Sequence, residues 1–217
     1  MSCRPKNDRN IMFEITGKRH KKLHTALARL AAPSRRWVSL DFFTDMEITT
    51  LKQLAGAQTF RKAQSEIVHR ESRVFQDFDV CFPAPRIGAF NDLATGLESG
   101  LFAAGTTLAH NPFETRFQFD DFAIQSYPAG SRGIGIHRDG KRYKHIVAII
   151  TLAGQSRLFS TDSRTGETRQ RIDDRPGRLV LLSADGFAKR YDDDSRPLHG
   201  VDCVRTGRLS IGFRSLS

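Results

Sequence analysis

Gly133-Ile134-Gly135-Ile136-His137-Arg138-Asp139 decides how the second half of this chain is read. Small and apolar residues alternate up to His137, as they do in a half-buried strand. Residues two apart in an extended chain point to the same side, so His137 and Asp139 can face one ion from a strand end. The same spacing recurs in His69-Arg70-Glu71, but that triplet sits in a charged stretch with no strand pattern after it and reads as surface.

Outward from this stretch, everything beyond residue 115 is short apolar runs separated by Gly, Pro, Asp and Ser. Strands are expected near Phe117 to Tyr127, Ile134 to His137, Ile146 to Leu152, Ser156 to Ser160, Arg178 to Leu182, Leu198 to Val204 and Arg208 to Arg214. Thr161 to Glu167 fits a hairpin turn, and Arg175-Pro176-Gly177 a tight turn into the next strand. The first half reads differently. Leu23, Leu27, Leu30 and Ala31 give residues 20 to 32 an amphipathic helix that Pro33 interrupts, and Val38 to Phe43 forms a short strand. Thr44-Asp45-Met46-Glu47 is a capping-box pattern opening a helix to about Ala57. Phe90, Leu93, Leu97 and Leu101 mark a further helix over 88 to 104. Helices first and antiparallel strands afterwards imply an α+β fold: a jelly roll, or double-stranded β-helix, supported by N-terminal helices.

At 217 residues one sizeable core is expected, with residues 1 to 36 as a basic N-terminal extension and 37 to 217 as the domain. The formal charge is +10, and residues 1 to 36 carry ten Lys or Arg against Asp8 and Glu14. Such an arm suits nucleic-acid phosphate, DNA or RNA, in a salt-dependent way. A solvated tail and an Arg-rich transit peptide remain open beside it. Cys3, Cys81 and Cys203 are odd in number and lack a C-x-x-C pair, which argues against disulfides and structural zinc and for a reducing, cytoplasmic setting. No apolar run approaches the eighteen or so residues of a membrane span.

His137 and Asp139 gain meaning from His199 and Arg208 further along. Two imidazoles and a carboxylate can hold ferrous iron on one face and leave the opposite positions open. A guanidinium at Arg208, with the hydroxyl of Ser210 two residues on, offers a rigid fork to a carboxylate. Gln125 and Tyr127 add a carboxamide and a phenol on one strand face. His20, His24, His110 and His145 have no partner at ligand spacing, and Asp192-Asp193-Asp194 lacks the glycine and downstream glutamate of a calcium loop. Tyr143 and Phe187 fit core or loop packing better than a stacking lid.

Taken in order, His137-x-Asp139, His199 and Arg208-x-Ser210 resemble the Fe(II)- and 2-oxoglutarate-dependent dioxygenases, a likeness that covers roughly Phe117 to Arg214. The ending Arg208-Leu209-Ser210-Ile211-Gly212-Phe213-Arg214 and the lead-in Gln125-Ser126-Tyr127-Pro128 are similar to segments of the AlkB-like branch. The resemblance implies that His137, Asp139 and His199 ligate iron. It implies that Arg208, with Tyr127 and Ser210, receives the distal carboxylate of 2-oxoglutarate, and that Arg214 steadies the end near the metal. It also implies use of O2, release of succinate and CO2, and hydroxylation or oxidative demethylation of a substrate. Gln125 stands where the branch has asparagine and Gly212 where it has threonine. Gly140-Lys141-Arg142-Tyr143-Lys144 is basic where nucleic-acid demethylases of the branch commonly turn acidic. A basic rim favours an anion: nucleic acid, an acidic metabolite or an acidic protein segment. A small-molecule or protein hydroxylase, and a non-catalytic jelly-roll module that binds nucleic acid, are the alternatives.

Overall fold

The structure is a computed structural model and describes residues 13, 15, 17–69, 72–113, 115–191 and 193–216. Its elements run α1 (Gly17–Ala31), β1 (Trp37–Asp41), α2 (Asp45–Gly56), β2 (Arg61–Lys62), β3 (Glu66–His69), β4 (Ser72–Asp77), β5 (Asp79–Cys81), α3 (Ala89–Thr106), β6 (Asp121–Tyr127), β7 (Gly133–His137), β8 (Lys144–Gly154), β9 (Arg157–Thr161), β10 (Arg169–Ile172), β11 (Arg178–Ser183), β12 (Leu198–Asp202) and β13 (Arg208–Ser215). The strands form two sheets, β1-β11-β8-β13-β6-β5-β2 and β10-β9-β12-β7-β4-β3. All of the strand pairings are antiparallel. This is the expected α+β jelly roll, with three α-helices carried on the larger sheet.

The larger sheet is buried on both faces, which is why its central strands read as near-continuous apolar runs rather than a clean alternation. Ile146, Ala148 and Ile150 of β8, Leu179 and Leu181 of β11, and Ile211 and Phe213 of β13 join Leu23, Leu27, Leu51, Leu93 and Leu97 of the helices in one core. The opposite faces of these strands look inward, where Tyr127, Val147, Val180 and Leu182 meet Ile134, Leu158, Ile172 and Val201 in a second core. One strand breaks the rule. The residues of β13 that alternate with Ile211 and Phe213 are Arg208, Ser210, Gly212 and Arg214, so polar groups enter the space between the sheets.

Helix α1 belongs to the domain. Leu23, Leu27 and Leu30 are fully buried, and Arg19 reaches Glu47 of α2 at 2.5 Å. Glu47 is also half of the expected capping box, with Thr44 N donating to Glu47 Oε2 and Glu47 N to Thr44 Oγ1. Within the stretch read as a basic extension, residues 17–31 pack into the same core as the strands, because the leucine stripe of α1 has the outer face of the sheet to cover. Cys3, Asp8, Glu14 and the extreme N-terminal part of the basic arm lie outside the described residues, as do Arg70 and Glu71. The reading that no strand follows His69 is overturned by the β3–β4 hairpin, in which Glu66 pairs with Phe75 and Val68 with Arg73. The turns over Thr161–Glu167 and Arg175–Gly177 fall where expected, joining β9 to β10 and leading into β11.

Candidate active site

Strands β7 and β12 lie side by side in the smaller sheet, and His137 is the direct cross-strand partner of His199. Their close approach depends on Gly133, at φ +85°, where an added Cβ would lie 1.9 Å from the Val201 carbonyl oxygen. Beside this contact the register shifts between His199 and Val201. The two imidazoles end 4.3 Å apart between ring centroids.

Each ring is oriented by the backbone two residues before it. His137 Nδ1 lies 2.8 Å from the Gly135 carbonyl oxygen and His199 Nδ1 3.0 Å from that of Pro197. A carbonyl only accepts, so both rings carry a proton on Nδ1, which leaves Nε2 as the nitrogen that could meet a metal. Asp139 lies just past the end of β7, its Oδ2 3.5 Å from His199 Nε2 and its Oδ1 accepting from Arg214 Nε at 2.9 Å. Burial, with His199 close by, pushes the His137 imidazole down to about 4, so it is neutral near pH 7. Burial alone would raise the Asp139 carboxyl; Arg214, His199 and His137 outweigh it and hold the group well below the usual carboxylate range.

Among the described residues no group of three or more His, Cys, Asp or Glu side chains could hold a metal ion as it stands. The donor set nevertheless fits ferrous iron in kind: two imidazoles held through Nδ1 and an ionised carboxylate beside one of them.

Across the interior, β13 carries Arg208, Ser210 and Arg214. Arg208 is the cross-strand partner of Tyr127, and Ser210 that of Gln125 on β6. Ser210 is also opposite Thr151 on β8. Arg208 is 4% exposed, and its recorded bonds all come from Nη1: to Thr151 Oγ1 at 2.6 Å, to Ser156 Oγ at 3.4 Å and to Asp174 Oδ2. Its Nε is buried and meets no hydrogen-bond partner. Burial pushes the Tyr127 phenol up to about 12 against the pull of Arg208 and Arg214, so the hydroxyl keeps its proton and can donate. Arg214 itself is covered by Tyr143, whose ring lies 5.5 Å from the guanidinium and whose hydroxyl donates to Asp121 at 2.7 Å.

All eight residues singled out in the sequence thus fall into one region, His137, Asp139 and His199 at one wall and Gln125, Tyr127, Arg208, Ser210 and Arg214 on the facing sheet. Phe187 is fully buried and packs in the helix-side core. Thr151 and Asp174 were not anticipated. Thr151 could have been found from its inward place among the apolar residues of β8, whereas Asp174 reads as one more loop carboxylate before Pro176. Two surface cavities, of about 350 Å³ between α1 and β1 and about 370 Å³ beside α3, lie away from these residues. They are solvent-facing hollows, apart from the place where the buried polar groups converge.

No family model and no curated protein matches this chain. Solved structures do. A prolyl hydroxylase from Trichoplax adhaerens, in complex with a hypoxia inducible factor oxygen degradation domain peptide, superposes with TM-score 0.63 at 15% identity, covering 91% of this chain and 90% of its own. An oxidoreductase of the 2OG-Fe(II) oxygenase family from Burkholderia pseudomallei gives 0.57 at 12% identity, with 89% of both chains covered. OsALKBH1 gives 0.56 at 14% identity, covering 83% of this chain and 97% of its own. The chain has the jelly-roll fold of the 2-oxoglutarate and Fe(II) oxygenases.

Proposed function

We propose that the chain is an Fe(II)- and 2-oxoglutarate-dependent dioxygenase that hydroxylates or oxidatively demethylates its substrate, with release of succinate and CO2. The observation that carries the reading is the pairing of two backbone-oriented imidazoles and an ionised Asp139 on one sheet with a buried guanidinium and a protonated phenol on the other. His137, Asp139 and His199 would hold the iron, which supplies O2 activation when bound. Arg208 offers its unpartnered Nε side to the distal carboxylate of the keto acid, and the Tyr127 hydroxyl donates to it. Arg214 keeps Asp139 ionised. Val147, Val180, Leu182 and Val201 wall the interior and exclude water from the reacting groups.

Nucleic acid is the substrate class we favour. Helix α1 carries Lys18, Lys21, Lys22 and Arg29 beside the Glu47-paired Arg19 and has no acidic residue, a surface suited to phosphate. A protein or small-molecule hydroxylase is the second reading, favoured by the span of the similarity to a prolyl hydroxylase. Among the described residues no helix is long and apolar enough to cross a membrane.

The test is succinate formation by purified protein with Fe(II), 2-oxoglutarate and O2, screened against methylated oligonucleotides, peptides and free amino acids. Turnover that disappears in His137→Ala and Asp139→Ala supports the oxygenase, and the substrate that stimulates it chooses between the readings. Absence of succinate under every condition, with nucleic-acid affinity retained, would leave a non-catalytic binding module.

A further inference from the structure

Beside Arg208, the group proposed above to receive a dicarboxylate, the fold buries a carboxylate of its own. Asp174 lies between β10 and β11, its side chain 7% exposed. Its Oδ2 accepts from Thr151 Oγ1 at 3.0 Å and from Arg208 Nη1. Arg208 is therefore held by one corner, while its buried Nε meets no partner. Asp174 does two things at once: it fixes the guanidinium with the Nε side spare, and it cancels the charge that an incoming carboxylate would feel.

The formal charges show the consequence. Arg208 and Arg214 are balanced by Asp174 and Asp139, so the protein's own contribution to the site is zero. A divalent metal and a dianionic keto acid then balance each other. Without the Asp174 charge the pocket carries a surplus of +1, and the distal carboxylate no longer shares its guanidinium with another anion.

We propose that Asp174 is a positioning residue that orients Arg208 for the distal carboxylate of a keto acid and, through its charge, weakens the pocket's hold on that carboxylate. The inference rests on the oxygenase reading above. At the effective dielectric of a protein interior, removing one unit charge a few ångströms from a bound anion changes affinity by about tenfold or more.

The experiment is calorimetric titration of protein loaded with Mn(II), which does not turn over, using 2-oxoglutarate and 2-oxopentanoate, a keto acid without the distal carboxylate. Asp174→Asn keeps the acceptor oxygen and removes the charge. It should tighten 2-oxoglutarate about tenfold or more and leave 2-oxopentanoate within about threefold of the original protein. Asp174→Ser, also uncharged but with a shorter reach to Arg208, should tighten 2-oxoglutarate by less than Asp174→Asn does. Unchanged or weaker 2-oxoglutarate binding in both variants, or equal tightening of both keto acids, overturns the role of Asp174 and leaves the oxygenase reading in place. If both variants fail to fold even with metal and keto acid present, Asp174 is structural and the proposal falls. If the unsubstituted, metal-loaded protein binds no 2-oxoglutarate, the oxygenase reading itself falls.

Discussion

Arg214→Met tests the electrostatics of the site without assuming any reaction. The Arg214 guanidinium and the Asp139 carboxylate are 18% and 10% exposed and meet at 2.9 Å. Coulomb's law at an effective dielectric of about 20 gives an attraction of about 6 kcal/mol at that separation. Desolvation of both groups offsets part of it, and breaking such a buried pair from one side costs about 3 kcal/mol or somewhat more. Methionine keeps the apolar stem under Tyr143, so the loss reports the charge rather than the packing. For a chain of 217 residues, that cost should lower the unfolding midpoint of metal-free protein by about 6–12 °C. Saturating Mn(II) gives Asp139 a second cationic partner, so the drop should shrink by at least about half in the loaded protein. Calorimetric scans with and without the ion make the comparison. A drop below about 2 °C in metal-free protein would mean that the pair contributes little. An equal drop with and without Mn(II) would mean that Asp139 never meets the ion.

Metal-free protein should also lose stability in acid. His137 has a folded value of about 4 against an ordinary 6.5, so the unfolded chain takes up its proton first as the pH falls. The contribution is complete above about pH 6.5 and is lost down to about pH 4, and Asp139, also held low, adds a loss of the same sign further down. Urea midpoints at pH 7, 5 and 4 should follow this fall, and His137→Asn should flatten it; a midpoint independent of pH would contradict a buried neutral imidazole. Arg208→Ala should weaken 2-oxoglutarate by about 10- to 100-fold, because charge-assisted hydrogen bonds are lost, while leaving Mn(II) affinity unchanged. Parallel losses of both in titration would show that Arg208 supports the metal wall instead. Leu27→Ala should cost about 2–5 kcal/mol in urea unfolding, since the side chain is fully buried under the sheet. For the same reason the basic face of α1 is best tested by replacing Lys18, Lys21 and Lys22 with glutamate, which should abolish salt-dependent binding to an oligonucleotide while the unfolding free energy stays within about 1 kcal/mol of the original.

What could be read from the sequence divides along a physical line. Strands β6 to β9 and β11 to β13 announce themselves because side-chain burial dictates their residues: Ile146 to Ile150 and Leu179 to Leu182 must satisfy a core on each face. Strands β2 to β5 do not. Arg61 and Lys62 are exposed, and Ile67 and Val68 point into solvent, so these segments are held by backbone pairing at or near sheet edges, where charge is tolerated and alternation carries no signal. The leucine stripe of α1 was legible as an amphipathic helix, but sequence periodicity says only that a face is apolar, not which surface it covers. His137, Asp139 and His199 could be read as one cluster because their types are rare in combination. Asp174 was hidden because nothing local to a loop tells that the fold will close over it.

Strand β13 shows how the fold and the site come from the same residues. Its odd positions, Ile211 and Phe213, hold the helices on one face; its even positions, Arg208, Ser210 and Arg214, place two guanidiniums and a hydroxyl in an otherwise apolar interior. Burying those charges is unfavourable unless each has a partner, and both partners come from elsewhere in the chain, Asp139 from the end of β7 and Asp174 from the β10–β11 connection. The polar alternation of one strand therefore requires two carboxylates at opposite ends of the interior. The carboxylate beside Arg214 also stands against His199. The one beside Arg208 accepts from that guanidinium and from the Thr151 hydroxyl, so each buried charge is met by a partner that another segment of the chain supplies.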